Sequence, residues 1–175
     1  GFEVLYSDTD SIFLSIEGKS EKDALEFMDK INKNLPEIME LEYEGMYPAG
    51  IFVSAKQGSY GAKKRYALLD HKGKLNIKGF EAVRRNTSDI AKELQIEVLE
   101  IILKEQDKEK AFKHAKEIIK GVKEHRLPAE KMVISTQLQR KTSDYSSIGP
   151  HVAVAMRMEE KGMKVGPGSV IRYVV

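Results

Sequence analysis

Two carboxylates stand two residues apart in Tyr6-Ser7-Asp8-Thr9-Asp10-Ser11, between the apolar runs Phe2-Glu3-Val4-Leu5-Tyr6 and Ser11-Ile12-Phe13-Leu14-Ser15-Ile16. The runs are short, β-branched and aromatic, so the segment reads as an antiparallel hairpin with Ser7-Asp8-Thr9-Asp10 at its tip. Alternation puts Asp8 and Asp10 on one face if the extended geometry persists through the tip. Carboxylates held that close repel one another, and a hard divalent cation removes the cost. Mg²⁺ bound by one or two carboxylates together with phosphates and water suits such a tip. The bland alternative is a solvated Asp-rich turn, since Asp favours turns for backbone reasons alone.

The second pattern with chemical content is Ala62-Lys63-Lys64-Arg65-Tyr66, where three consecutive cations meet an aromatic at the start of an apolar strand. Lysine and arginine attract phosphates, and a neighbouring Tyr can support a sugar or a groove edge. A solvated strand edge, where Lys discourages unwanted sheet pairing, is the competing reading. The charge distribution sets the two patterns side by side: residues 1–53 carry twelve acids and four bases, residues 54–85 two acids and nine bases, and residues 86–175 thirteen acids and sixteen bases. An acidic first third running into a basic segment suggests a cation site beside a polyanion site.

Composition narrows the chemistry further. The absence of Cys rules out zinc ribbons, thiol nucleophiles and redox dithiols, and four scattered histidines (His71, His114, His125, His151) do not form a ligand set. Any metal would be held by oxygen. With 41% hydrophobic and 32% charged residues over 175 positions, the chain has the makeup of one ordinary folded domain or two small ones. No apolar run approaches the roughly 20 residues that span a bilayer.

The elements that position these residues fall into two grammars. Ser20 and Asp23 form a capping-box pattern, and Ala24, Phe27, Met28 and Ile31 repeat at helical spacing until Pro36. Strict alternation in Glu40-Leu41-Glu42-Tyr43-Glu44, the run Ile51-Phe52-Val53-Ser54, and Arg65–Leu69 turning through Asp70-His71-Lys72-Gly73 into Leu75-Asn76-Ile77 predict an antiparallel sheet with the helix on one face. After about residue 86 helical periodicity takes over. Ser88 is placed to cap a helix bearing Ile90, Leu94, Val98, Ile101 and Ile102, and Asp107 one bearing Phe112, Ala115, Ile118, Ile119 and Val122. A strand at Val133-Ile134-Ser135, a helix from Pro150 through Met158 and a last strand of Val170, Ile171 and Val174 complete the expectation. The fold class is α+β, with an antiparallel sheet and packed helix followed by a mainly helical second unit, and the chain stops inside an apparent strand.

Taken in order, Tyr-x-Asp-Thr-Asp-Ser, then Lys-Lys-Arg-Tyr, then Gly79-Phe80-Glu81 with Arg84-Arg85, then Gly149-Pro150-His151-Val152-Ala153 and Pro167-Gly168-Ser169-Val170-Ile171, the chain strongly resembles the family B DNA polymerases of archaea. The resemblance implies that residues 1–85 are the C-terminal part of a polymerase palm and 86–175 the thumb. It implies that Asp10 is the metal-ligand carboxylate of motif C and Asp8 its neighbouring acid, both catalytic through Mg²⁺ in a two-metal site. It implies that Lys63, Lys64, Arg65 and Tyr66 hold primer-template DNA near the primer terminus, with Arg84 and Arg85 contacting backbone at the junction and Arg140, Lys141, Tyr145 and His151 doing so from the thumb. Deoxynucleoside triphosphates would be the other substrate, a cytoplasmic setting without a membrane the location, and a sliding clamp a further partner reached beyond Val175.

Departures from the family accompany the matches. Ser7 stands where Gly is frequent and Asn86 where Asp is usual. The earlier palm carboxylate motif of the D-x-x-S-L-Y-P-S type and the Lys-rich fingers helix do not occur in this sequence. The expectation is therefore a chain inactive alone and completed by a larger polymerase chain carrying the remaining palm, fingers and exonuclease, in a natural two-chain polymerase or as an excised piece. Helix 21–33 and the first strands are the expected interface with it. Two other classes stay open: a non-catalytic module that clamps duplex DNA, and a nucleotide-sugar transferase, which the antiparallel alternation disfavours.

Overall fold

The computed structural model describes residues 1–54 and 61–175, with the side chains of 54 and 61–63 outside the description. The chain divides into two compact units, Gly1–Lys78 and Gly79–Val175. Helices and small antiparallel sheets alternate throughout, an α+β arrangement.

In the first unit, β1 (Val4–Asp8) pairs antiparallel with β2 (Ser11–Leu14), and the pairing continues to Asp8 opposite Ser11. The hairpin loop is therefore only Thr9-Asp10, tighter than the four-residue tip read from sequence. Thr9 turns the chain with φ of 51°, a left-handed conformation unusual for a β-branched residue. Helix α1 (Glu21–Asn32) has the expected capping box: the Ser20 hydroxyl accepts from the Asp23 N–H at 3.3 Å, and the Asp23 carboxylate accepts from the Ser20 N–H at 2.7 Å. The Ser20 hydroxyl also donates to the Asp23 carboxylate at 2.6 Å, and that bond first, with the Ser20 N–H second, holds the carboxyl below the usual carboxylate range.

The main sheet of this unit is β3 (Ala49–Ser54), β4 (Gly61–Leu69) and β5 (Leu75–Lys78), in the order β3-β4-β5. The β4–β5 turn closes as expected. Asp70 Oδ1 accepts the N–H groups of Lys72 and Lys74 at 2.8 Å each, and Gly73 supplies a φ of 77°. Ala67, Leu68 and Leu69 on the central strand are buried.

One expectation fails here. Residues 40–44 alternate like a strand but form none. The Asn32 side chain takes both backbone groups of Leu41, donating to its carbonyl at 2.9 Å and accepting its N–H at 2.8 Å, so Leu41 has nothing left for a ladder. Helix α1 presents a partly exposed apolar face. No residue of the helix is fully buried; its Phe27 ring meets Phe2 at 4.9 Å. Amphipathic spacing shows that a helix has an apolar face without saying what covers it.

In the second unit, α2 (Asp89–Glu100) runs into a π-turn (Ile101–Glu105) that ends at Gln106 with φ of 56°. Asp107 then caps α3 (Lys108–Lys123) by accepting the Lys110 N–H at 2.8 Å, whereas the Ser88 side chain makes no capping bond to α2. Leu99, Leu103 and Ala111 are buried. Phe112 and Ile119, expected on the buried face of α3, are 58% and 48% exposed, and Lys116 lies over the Phe112 ring at 4.3 Å. The buried side of α3 runs instead along Ala111 and Gly121, with Leu127 packed beside Gly121. Helix α4 (Pro150–Glu160) follows, and β6 (Ile134–Gln137) pairs antiparallel with β7 (Val170–Tyr173). Leu138, Val152, Ala155 and Ile171 form a fully enclosed cluster there, with Tyr145, Met158, Val165 and Tyr173 packed around it.

Candidate functional site

The carboxylate hairpin and the basic strand both lie in the first unit, and four aromatic rings tie them together. Tyr6 on β1, Phe13 on β2, Phe52 on β3 and Tyr66 on β4 all contact one another, with centroids between 5.1 and 6.0 Å apart. Offset and edge-on ring pairs of this kind contribute roughly 0.5–1.5 kcal/mol each beyond the area they bury. Each comes from a different strand, so the cluster joins the two-stranded hairpin to the three-stranded sheet. A hydrogen bond completes the link: the Tyr6 hydroxyl accepts the Lys64 backbone N–H at 2.6 Å.

At the tip, extended geometry stops at Asp8, so strand alternation does not relate the two carboxylates. Asp8 is half-buried and its Oδ1 accepts the Thr9 hydroxyl at 3.1 Å; its carbonyl accepts the Ser11 hydroxyl at 3.3 Å. Asp10 is exposed, and no cation or donor among the described residues is paired with its carboxylate. The described residues contain no group of three or more His, Cys, Asp or Glu able to enclose a metal ion. An octahedral ion that keeps waters and phosphates needs only one or two protein carboxylates, so the donor chemistry of Asp8 and Asp10 fits Mg²⁺ in an open site and not in a protein cage.

On the basic strand, Lys64 is exposed and Arg65 half-buried, while the side chain of Lys63 lies outside the described residues. Tyr66 is not a free surface ring; it is half-buried in the aromatic cluster. That burial, with the Glu44 carboxylate and then Tyr6, Tyr47 and Asp8 nearby, pushes its hydroxyl above the ordinary tyrosine value. It stays a neutral donor at any physiological pH.

In the second unit the expected residues separate into two groups. Arg84 folds back on its own segment, its Nη2 donating to the Gly79 carbonyl at 3.4 Å and its Nη1 4.0 Å from Glu81, while Arg85 is exposed. Arg140, Tyr145 and His151 come together. The Arg140 guanidinium lies over the Tyr145 ring at 5.4 Å, and the His151 ring meets that ring edge-on at 5.8 Å. Gly149 permits this placement of His151, since a Cβ there would stand 3.3 Å from the imidazole. Lys141 is exposed at the start of the 3₁₀ turn Thr142–Asp144. Sequence reasoning did not single out Tyr6, Phe13 or Phe52; inward-facing aromatics on separate short strands were the available signal.

The sequence model of DNA polymerase family B matches residues 1–175, the whole chain. The chain belongs to DNA polymerase family B. Its relatives include the DNA polymerase of Pyrococcus horikoshii, 47% identical over 180 residues, which cover all of this chain and 14% of that protein. The DNA polymerase of Thermococcus gorgonarius is 46% identical over 179 residues, covering 100% of this chain and 22% of the relative. Among solved structures, that of the family B DNA polymerase from the hyperthermophilic archaeon Pyrobaculum calidifontis superposes on the entire chain with a TM-score of 0.68 at 28% identity, over 21% of its own length. This family B chain thus spans less than a quarter of the length of those proteins.

Within the described residues of this family B chain no helix is long and apolar enough to cross a membrane. Its carboxylate pair and its basic strand are separated by more than fifty positions in sequence yet belong to one packed unit.

Proposed function

We propose that this chain supplies the motif C palm segment and the thumb of a DNA-directed DNA polymerase, with residues 1–85 in the palm and 86–175 in the thumb. The observation that carries the reading is the junction of carboxylate hairpin and basic strand through the four-ring cluster and the Tyr6–Lys64 hydrogen bond. It puts charge for a cation and charge for a phosphate backbone on one rigid support, as template-directed nucleotidyl transfer requires. The match to family B along the whole chain supports the same reading.

In this reading Asp10, with Asp8 beside it, would hold Mg²⁺. The bound ions would supply charge neutralisation at the entering and leaving oxygens of an in-line displacement. Asp8 is steadied by the Thr9 hydroxyl, leaving the exposed Asp10 carboxylate as the principal ligand. Lys63, Lys64 and Arg65 attract the primer-template backbone, and Tyr66 presents a neutral hydroxyl at the edge of its ring cluster. Such contacts sense duplex geometry without reading sequence. Arg84, Arg85, Arg140, Lys141, Tyr145 and His151 add phosphate contacts from the second unit.

These 175 residues do not carry the earlier palm carboxylate motif or the Lys-rich fingers helix, so in this reading they are inactive alone and act in the cytoplasm with a larger polymerase chain that supplies both, as one of two subunits or as a piece of one polypeptide. A sliding clamp is a further partner of the assembled enzyme. Replacing Asp10 by Ala in the complete polymerase tests the reading. Primer extension in Mg²⁺ is expected to be abolished while assembly and duplex binding persist. Extension at a normal rate would leave the chain as a duplex-DNA-binding module without chemistry.

A further inference from the structure

The bond between Tyr6 and Lys64 sits at an irregularity that gives it a specific job. Strands β3 and β4 pair regularly from Ala49 opposite Leu69 to Phe52 opposite Tyr66, and pair again at Ser54 opposite Gly61. Between those points residues 62–65 of β4 stand against Val53 alone, so the basic segment is an extended bulge. Within it Lys64 has φ of 57°, a left-handed conformation that Lys does not adopt without support. Its N–H is turned away from the β3 ladder and is taken by the Tyr6 hydroxyl.

Tyr6 itself has little freedom. It is 8% exposed, stacked on Phe52 at 5.2 Å and edge-on to Tyr66 at 5.9 Å. It is also two residues before Asp8 on the strand that leads to the tip. We propose that Tyr6 is a positioning residue whose hydroxyl latches the bulged basic segment to the carboxylate strand, setting Lys64 in register with Asp10. Tyr6 touches neither DNA nor metal ion; it acts through the Lys64 backbone. This inference rests on the polymerase reading given above.

Tyr6→Phe tests it, because the ring and its packing survive and only the acceptor is lost. In the complete polymerase, the KM and Kd for primer-template are expected to rise about fivefold, the equivalent of one ordinary hydrogen bond. The kcat at saturating primer-template and the Mg²⁺ concentration dependence should stay within about twofold of wild type. In a Lys64→Ala background, which keeps the backbone N–H but lacks the ammonium that the latch positions, the same change should add little further rise. A fall in kcat at unchanged KM would overturn the proposal and assign the hydroxyl to the metal centre. Unchanged KM and kcat would overturn it too, and so would fully additive effects of the two substitutions. Asp10→Asn, measured in parallel, separates the two ideas: retained activity defeats the polymerase reading, whereas loss of activity beside a silent Tyr6→Phe defeats only the latch.

Discussion

The Tyr145 hydroxyl accepts the backbone N–H of Gln139 at 2.9 Å, so the ring that Arg140 overlies and His151 meets edge-on is anchored at its hydroxyl end to the loop after β6. The same ring packs on the enclosed cluster of Leu138, Val152, Ala155 and Ile171. Tyr145→Phe should therefore cost about 1 kcal/mol in a denaturant melt, the value of one hydrogen bond. Tyr145→Ala should cost roughly 3 kcal/mol by removing the ring as well. Equal costs would mean that the ring contributes nothing to packing.

Ile171 is 1% exposed and belongs to that cluster, so its truncation to Ala should destabilise the second unit by about 2–5 kcal/mol. Phe112→Ala on α3, at 58% exposure, should stay within about 1 kcal/mol. Thermal or chemical unfolding of the two variants side by side checks the burial assignments; a larger loss for Phe112→Ala would contradict them.

Lys64 is exposed on the bulge, and its charge is the part that meets phosphate in the polymerase reading. Lys64→Ala should weaken duplex binding about equally for every sequence. The slope of log affinity against log salt should shrink by about one. Binding titrations at several salt concentrations measure it, and an unchanged slope would remove Lys64 from the phosphate-contacting set.

Tyr66 holds its proton more tightly than a free tyrosine because of burial first and nearby carboxylates second. A group whose folded pKa is raised contributes stability that is fully present below its unfolded value near 10 and is lost as pH rises through the folded value. Ultraviolet titration of tyrosinate should show Tyr66→Phe deleting one of the most alkaline transitions. Loss of an ordinary transition instead would place the hydroxyl in solvent.

Asp23 provides the opposite sign at the start of α1. Its carboxyl is held below the usual range by the Ser20 hydroxyl and N–H, so the capping contribution is present above about pH 4 and lost as pH falls through the folded value. The melting temperatures of wild type and Asp23→Asn should differ at neutral pH and converge in acid. A difference independent of pH would show that the carboxylate charge plays no part in the cap.

Local sequence alone determined the elements whose cause is local. The Ser20–Asp23 capping box, the Asp107 cap of α3, the turn at Asp70–Gly73 and the hairpin around Asp8 and Asp10 each depend on side chains bonding backbone a few residues away. The order of the carboxylate and basic motifs likewise pointed to family B without any coordinates. What covers an apolar face was not legible, because periodicity carries no identity for the partner. Hence Phe112 and Ile119, spaced for the buried face of α3, turn outward. Alternation in residues 40–44 misled because Asn32, distant by a helix end and a loop, occupies the backbone of Leu41. Only the tertiary structure decided that Tyr6, Phe13, Phe52 and Tyr66 converge, and that the bulge in β4 turns the Lys64 backbone N–H onto the Tyr6 hydroxyl. The Tyr6–Lys64 bond joins residues 58 positions apart, and its energy exists only once both sheets have formed.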